Sequence, residues 1–231
     1  MITTSNLSPS TAHSPARVQP PAAAGISENL HPSVNSKLKR LVDIVGALAG
    51  LAITAPVALV VAIATQFDNP GPIFYSQTRC GAGGYTFRIW KFRSMVVNAD
   101  QLKHLVPNQA KGLIFKNSND PRITRVGRFL RRTSLDELPQ FWNVLRGEMS
   151  LVGTRPPTVD EVLQYEPHHW KRLYVKPGIT GEWQANGRSK VEDFEDIVAL
   201  DVAYQEKWSV AYDIYLILKT IWVVLKKEGA Y

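Results

Sequence analysis

Hydrophobic and polar positions divide this chain into stretches of different period. Leu41 to Phe67 is almost uniformly apolar, with Asp43 its only charge, and Lys37, Lys39 and Arg40 precede it. At a rise of about 1.5 Å per residue the uncharged part is long enough to cross about 30 Å of hydrocarbon, which predicts a membrane helix. Pro56 near its middle removes a helical hydrogen bond and predicts a bend. Basic residues flank both ends, Lys37 to Arg40 before and Arg79, Arg88, Lys91 and Arg93 after, so both flanks read as cytoplasmic. A spanning helix with a tolerated proline and a hairpin that re-enters by the same face both remain open.

Beyond the turn Asn69-Pro70-Gly71-Pro72, residues 73–75 and 85–90 predict two strands reversed by Gly81-Ala82-Gly83-Gly84. Residues 96–105 predict a helix that ends before Pro107. Arg122, Arg125, Arg128 and Arg131 recur every third residue, with Arg132 beside the last, and predict a basic helical face for a diphosphate or anionic headgroups. Leu138, Phe141, Trp142 and Leu145 predict a helix ending at Gly147. Residues 176–188 predict a glycine-punctuated loop, and 209–227 a helix whose aromatics and lysines suit either a membrane interface or core packing. The pattern as a whole is α+β and helix-rich. It divides into a disordered Ser- and Pro-rich tail over 1–36, a membrane segment over 37–67 and a folded unit over 68–231, with no cleaved signal peptide expected.

Composition narrows this little. The net charge of +7 asks for an anionic partner, and the single Cys80 excludes an internal disulfide. No histidine lies near Cys80 in sequence, so it reads as an ordinary thiol. His168 and His169 lack a second ligand pair at metal spacing and read as surface residues beside Trp170.

The candidate chemistry lies in Thr133-Ser134-Leu135-Asp136-Glu137-Leu138-Pro139. Ser134 and Glu137 have capping-box spacing and Pro139 suits a first turn, so capping alone accounts for both acids. In either register the exposed N–H groups and the helix dipole favour ionised carboxylates there. Cations interleave with aromatics in Lys91-Phe92-Arg93, as they would at a phosphorylated ligand or on a solvated strand face. Arg155, before Pro156-Pro157, is held on a stiff turn that can face a phosphate.

Four segments, Lys91 to Met95, Thr133 to Gln140, Gly147 to Gly153 and Lys176 to Arg188, together with Lys39-Arg40-Leu41-Val42-Asp43, resemble the bacterial sugar transferases, the monotopic phosphoglycosyl transferases. The resemblance covers nearly everything from Lys39 to the C-terminus. It implies transfer of a sugar 1-phosphate, here glucose or galactose, from a UDP-sugar to a polyprenol phosphate such as undecaprenyl phosphate, with release of UMP. It further implies Asp136 as nucleophile and Mg²⁺ held by Glu137 with Asp136. Lys91, Arg93, Arg128, Arg131, Arg132, Arg155, Gln184, Asn186 and Arg188 are then the substrate-binding candidates. A re-entrant helix in the cytoplasmic membrane, bacterial lipids around it and interfacial helices around the site belong to the same implication. Ala55-Pro56 stands where the family has Ser-Pro, and Thr154 where it more often has proline. A membrane-anchored basic binding protein and an inactive regulatory relative are the rival readings. Nucleic acid is not an expected partner, because the acid pair would repel its phosphates. The oligomeric state is not legible.

Overall fold

In the computed structural model, residues 16–19, 30–187, 191 and 193–226 are described. Helix α1, Lys37–Asp68, is capped by the Ser36 hydroxyl, which accepts from the Lys39 N–H. It runs through Pro56, where the sequence predicts a bend, and the Thr54 hydroxyl donates back to the Gly50 carbonyl just before the proline. Its buried positions, Lys39, Asp43, Ala47, Gly50, Thr54, Val61 and Thr65, recur every three, four or seven residues and form one stripe along the whole helix. The opposite side exposes Leu41, Val45, Leu48, Ile53, Val60, Ile63 and Phe67.

The buried stripe lies against the rest of the chain from end to end. Near the N-terminus the Lys39 ammonium donates to Asp213 at 2.6 Å and to the Val152 carbonyl, and Asp43 accepts from Ser150 Oγ and the Leu151 N–H. At the C-terminus Asp68 accepts from the Val126 N–H at 2.8 Å. In between, a Cβ on Gly50 would stand 2.5 Å from the Phe141 ring, so only glycine allows this approach.

Strands β1, Phe74–Cys80, and β2, Thr86–Phe92, form the expected hairpin, with Phe74 opposite Phe92 and Cys80 opposite Thr86. Residues 96–105 are turns with one short 3₁₀ segment, Lys103–Leu105, in place of the predicted helix. Asn98 at φ 68° interrupts helical geometry there. Helices α2, Arg125–Arg132, and α3, Gln140–Arg146, follow, and α3 ends on Gly147 in the left-handed conformation. Strand β3, Ser150–Val152, pairs in parallel with β4, Gly178–Thr180. Between them lies the short α4, Val159–Val162. The segment read as a glycine loop thus supplies a strand and then α5, Glu182–Gly187. Helices α6, Phe194–Lys207, and α7, Val210–Leu225, complete the chain, and α6 was not predicted.

Three apolar clusters hold these elements. One joins Ala47 of α1 to Val144, Met149, Val152 and Leu216; another gathers Cys80, Val162, Trp170 and Phe194; the third places Val61 against Phe92 and Leu130. Part of the predicted tail is ordered onto the hairpin. Thr86 N–H donates to the Ala16 carbonyl, Val18 N–H to the Gly84 carbonyl, and the Arg17 guanidinium lies 5.1 Å from the Tyr85 ring centre.

Candidate functional site

The predicted capping box does not form. Ser134 sits in the left-handed region at φ 56° and its side chain caps nothing. Asp136 and Glu137 instead occupy a separate 3₁₀ turn, Leu135–Glu137, between α2 and α3, with Pro139 as the N-terminal cap residue of α3. The flanking Leu135 and Leu138 pack into the cluster of Val61, Phe92 and Leu130. Apolar anchors three residues apart therefore grip the turn from both sides, and the acids face the other way. Asp136 is only 6% exposed, and both acids line a cavity of about 750 Å³.

The floor of that cavity is one face of the β-hairpin. Tyr75, Gln77 and Arg79 alternate along β1, and Ile89 and Lys91 lie across from them on β2. Lys91 Nζ donates to Glu137 Oε1 at 2.9 Å, which links floor to acid turn. From α2, Arg131 donates through Nε to Ser94 Oγ at 2.9 Å, and Arg128 lines the cavity beside it. Burial makes the Arg131 guanidinium easier to deprotonate than usual, while the nearby Asp136 and Asp120 act against this. Tyr75 donates to Asp100, and burial together with that carboxylate pushes its phenol up to about 12.

Close approach of α2 to the hairpin end is what brings Arg128 and Arg131 in. A Cβ on Gly127 would stand 1.9 Å from the Ser94 carbonyl oxygen, so no other residue fits there without a backbone shift. On the far wall Arg155 pairs with Glu161 at 3.0 Å, and Glu161 closes the capping box of α4 with Thr158. Burial opposes the Glu161 charge, yet Arg155, Arg79 and Arg172 together hold its carboxyl below the usual range.

Of the residues singled out from sequence, Asp136, Glu137, Lys91, Arg93, Arg128, Arg131, Arg155 and Gln184 line this one cavity. Arg93 spends its guanidinium on the turn after α1, bonding the Asn69 side chain and carbonyl and the Pro72 carbonyl. Arg132 is exposed and lies outside the lining. Asn186 also lies outside it, bonded to the Glu182 carbonyl and to Lys219. Arg122, counted in the basic helical face, is buried against Asp120 before α2 begins. Arg188 lies outside the described residues. Tyr75, Gln77, Arg79 and Glu161 were missed; the alternation of β1 carries the signal for the first three once the hairpin register is fixed.

Two adjacent carboxylates on one turn offer the hard oxygen donors that Mg²⁺ prefers, so the residues present fit such an ion. A second cluster, His168, His169 and Glu195, places its ligand atoms within 4.8 Å of one another. His169 is 3% exposed rather than on the surface as predicted. Its Nδ1 accepts from the Glu166 N–H at 3.0 Å, so the neutral ring carries its proton on Nε2 and donates it to Glu195 at 2.7 Å. That tautomer leaves no lone pair for a metal.

The chain is 54% identical over 194 residues to the galactosyl transferase CpsE of Streptococcus agalactiae serotype III, covering 83% of this chain and 43% of that protein. It is 43% identical over 205 residues to the UDP-glucose:undecaprenyl-phosphate glucose-1-phosphate transferase of Escherichia coli, covering 86% of this chain and 42% of that protein. With the exopolysaccharide production protein ExoY of Sinorhizobium fredii it shares 39% identity over 199 residues, 84% of this chain and 88% of that protein. The chain thus spans less than half the length of the first two relatives. The bacterial sugar transferase family matches residues 34–227, which take in α1, the hairpin, the acid turn and every wall of the cavity, and the chain belongs to that family.

Proposed function

We propose that the chain transfers a hexose 1-phosphate from a UDP-sugar to undecaprenyl phosphate, in two steps through a covalent Asp136 intermediate, as the first membrane step of exopolysaccharide or related glycan synthesis. The observation that carries this is a nearly buried carboxylate, Asp136, on the wall of a cavity that also holds Arg128, Arg131 and the Lys91–Glu137 pair. A carboxylate attacking a diphosphate needs cations around the phosphoryl oxygens, and a dry site makes each of them count for more. The named relatives act on UDP-glucose and undecaprenyl phosphate or carry galactosyl in their names, which supports a hexose donor.

In the first step an Asp136 oxygen bonds to the β-phosphorus, and the bond from that phosphorus to the bridging oxygen breaks. The electron pair leaves on UMP. In the second, a phosphate oxygen of undecaprenyl phosphate bonds to the same phosphorus, and the acyl phosphate bond breaks to restore the carboxylate. Arg128, Arg131 and Lys91 neutralise the phosphoryl oxygens throughout. Glu137 and Asp136 would hold Mg²⁺, which when bound supplies further charge neutralisation at the diphosphate.

Helix α1 supports a membrane placement. Its 32 residues have a contour length of about 48 Å, yet both its ends are bonded to one folded unit, through Lys39–Asp213 and Asp68–Val126. A helix crossing the bilayer would carry those ends to opposite faces. We therefore read α1 as entering and leaving by the cytoplasmic face of the inner membrane. Its exposed apolar side is in lipid, and the exposed Ile214, Leu218, Ile221 and Trp222 of α7 lie at the interface.

Asp136→Asn tests the chemistry. In an assay with UDP-sugar, undecaprenyl phosphate and Mg²⁺ it abolishes UMP release, and wild-type protein given UDP-sugar alone gains one sugar-phosphate mass on Asp136. Wild-type turnover by the variant would remove the assignment.

A further inference from the structure

Besides Arg128, Arg131 and Lys91, the cavity is lined by two further arginines, Arg79 and Arg155. Arg79, at the end of β1, donates through Nη1 to the Pro156 carbonyl at 3.0 Å and through Nη2 to Gln77 Oε1 at 2.7 Å. Its Nε is buried with no partner. The Cys80 N–H donates to the Pro157 carbonyl at 2.9 Å, so β1 grips the turn that carries Arg155 at two points. Glu161 pairs with Arg155 and, among the described residues, no carboxylate pairs with Arg79. Two guanidiniums therefore share one carboxylate. Burial first, and Arg155 second, bring Arg79 down to about 10, which still leaves it a cation at neutral pH.

A half-buried guanidinium that must share its carboxylate with a second one carries charge only partly balanced, and here it lines a cavity that a ligand can enter. We infer that Arg79 and Arg155 form a second anion subsite, which holds the phosphate that departs with the nucleotide while the other phosphate faces Asp136. Arg79 is thereby a substrate-binding residue, and its planar fork both meets an oxyanion and fixes the arginine beside it. This subsite rests on the UDP-sugar reading above.

The test compares UMP with uridine, which lacks the phosphate, by ligand-observed NMR titration of the full chain in nanodiscs. Arg79→Gln is expected to weaken UMP at least tenfold and to leave uridine unchanged; Arg79→Lys, which keeps the charge without the fork, weakens UMP severalfold. Unchanged UMP binding in both variants would overturn the subsite. Equal losses for UMP and uridine would overturn it too, by showing that Arg79 only supports the wall. If the Gln variant does not fold, the Lys variant decides by the same comparison. Wild-type protein that binds neither ligand would remove the UDP-sugar reading itself, and the subsite with it.

Discussion

Lys39→Met should be among the most destabilising single changes in this chain. Lys39 and Asp213 meet at 2.6 Å with side chains 5% and 3% exposed, so the pair is not weakened by solvent screening. Removing the ammonium leaves Asp213 buried beside two remaining donors, Tyr204 Oη at 2.7 Å and Trp208 Nε1 at 3.3 Å. Breaking a buried pair costs about 3–5 kcal/mol, and the surviving bonds place this case near about 3 kcal/mol. For a domain of this size each kcal/mol moves Tm by about 2–4 °C, which gives a fall of about 6–12 °C. Tryptophan fluorescence melts of nanodisc-held protein measure it directly, and Trp208 reports from the site itself. Lys39→Met/Asp213→Leu should recover part of the loss, because the uncompensated charge is gone. A fall below about 2 °C for Lys39→Met would refute the claim that this pair ties α1 to α7.

Three further outcomes follow from the same structure. Gly127→Ala drives a Cβ onto the Ser94 carbonyl, so it should cost about 1–3 kcal/mol in a denaturant titration and, by displacing Arg131, lower UMP release at least tenfold. The Arg122 hydrogen bonds hold the Asp120 carboxyl below its ordinary range, so its contribution is fully present above the unfolded value of about 3.9 and lost as pH falls through the lower folded value. Asp120→Asn should then be about 2 kcal/mol less stable than wild type in urea at pH 7, and the gap should narrow as pH falls below about 3.9; a gap that does not change with pH would exclude the linkage. Cys80 is fully buried and cannot report topology, so Lys37→Cys and Gln101→Cys, each made in a Cys80→Ser background, should react with an impermeant maleimide from the same side, and opposite sides would mean that α1 spans.

Much of the hairpin, α1, α3 and α7 was legible because each is written in a local period. The acid pair was legible too, but its local structure was not. Ser-x-x-Glu spacing suits a cap, whereas the packing of Leu135 and Leu138 pulls the chain into an independent turn and Ser134 into the left-handed region. Helix α6 escaped notice because its buried Asp201 interrupts the apolar stripe, and that acid is accounted for only by Arg172, 29 residues earlier. The run of arginines looked like one surface, yet Arg122 turns inward to Asp120, Arg128 and Arg131 line the cavity with it, and Arg125 and Arg132 lie outside the lining. Such sorting depends on partners remote in sequence, which spacing does not encode.

The doubled role of α1 has a consequence for how this protein can be handled and how it can evolve. Ala47 and Val61 are core residues of two different clusters, while Leu48 and Val60 on the same helix face outward. Helix α1 is therefore not a detachable module. A version trimmed of residues 37–68 for solubility would expose Phe92, Leu130, Val144 and Leu216 and lose the support behind Leu135 and Leu138. The exposed apolar side and the acid turn lie on opposite sides of one helix, so a substitution that alters the exposed side is felt, through the same backbone, at the position of Asp136.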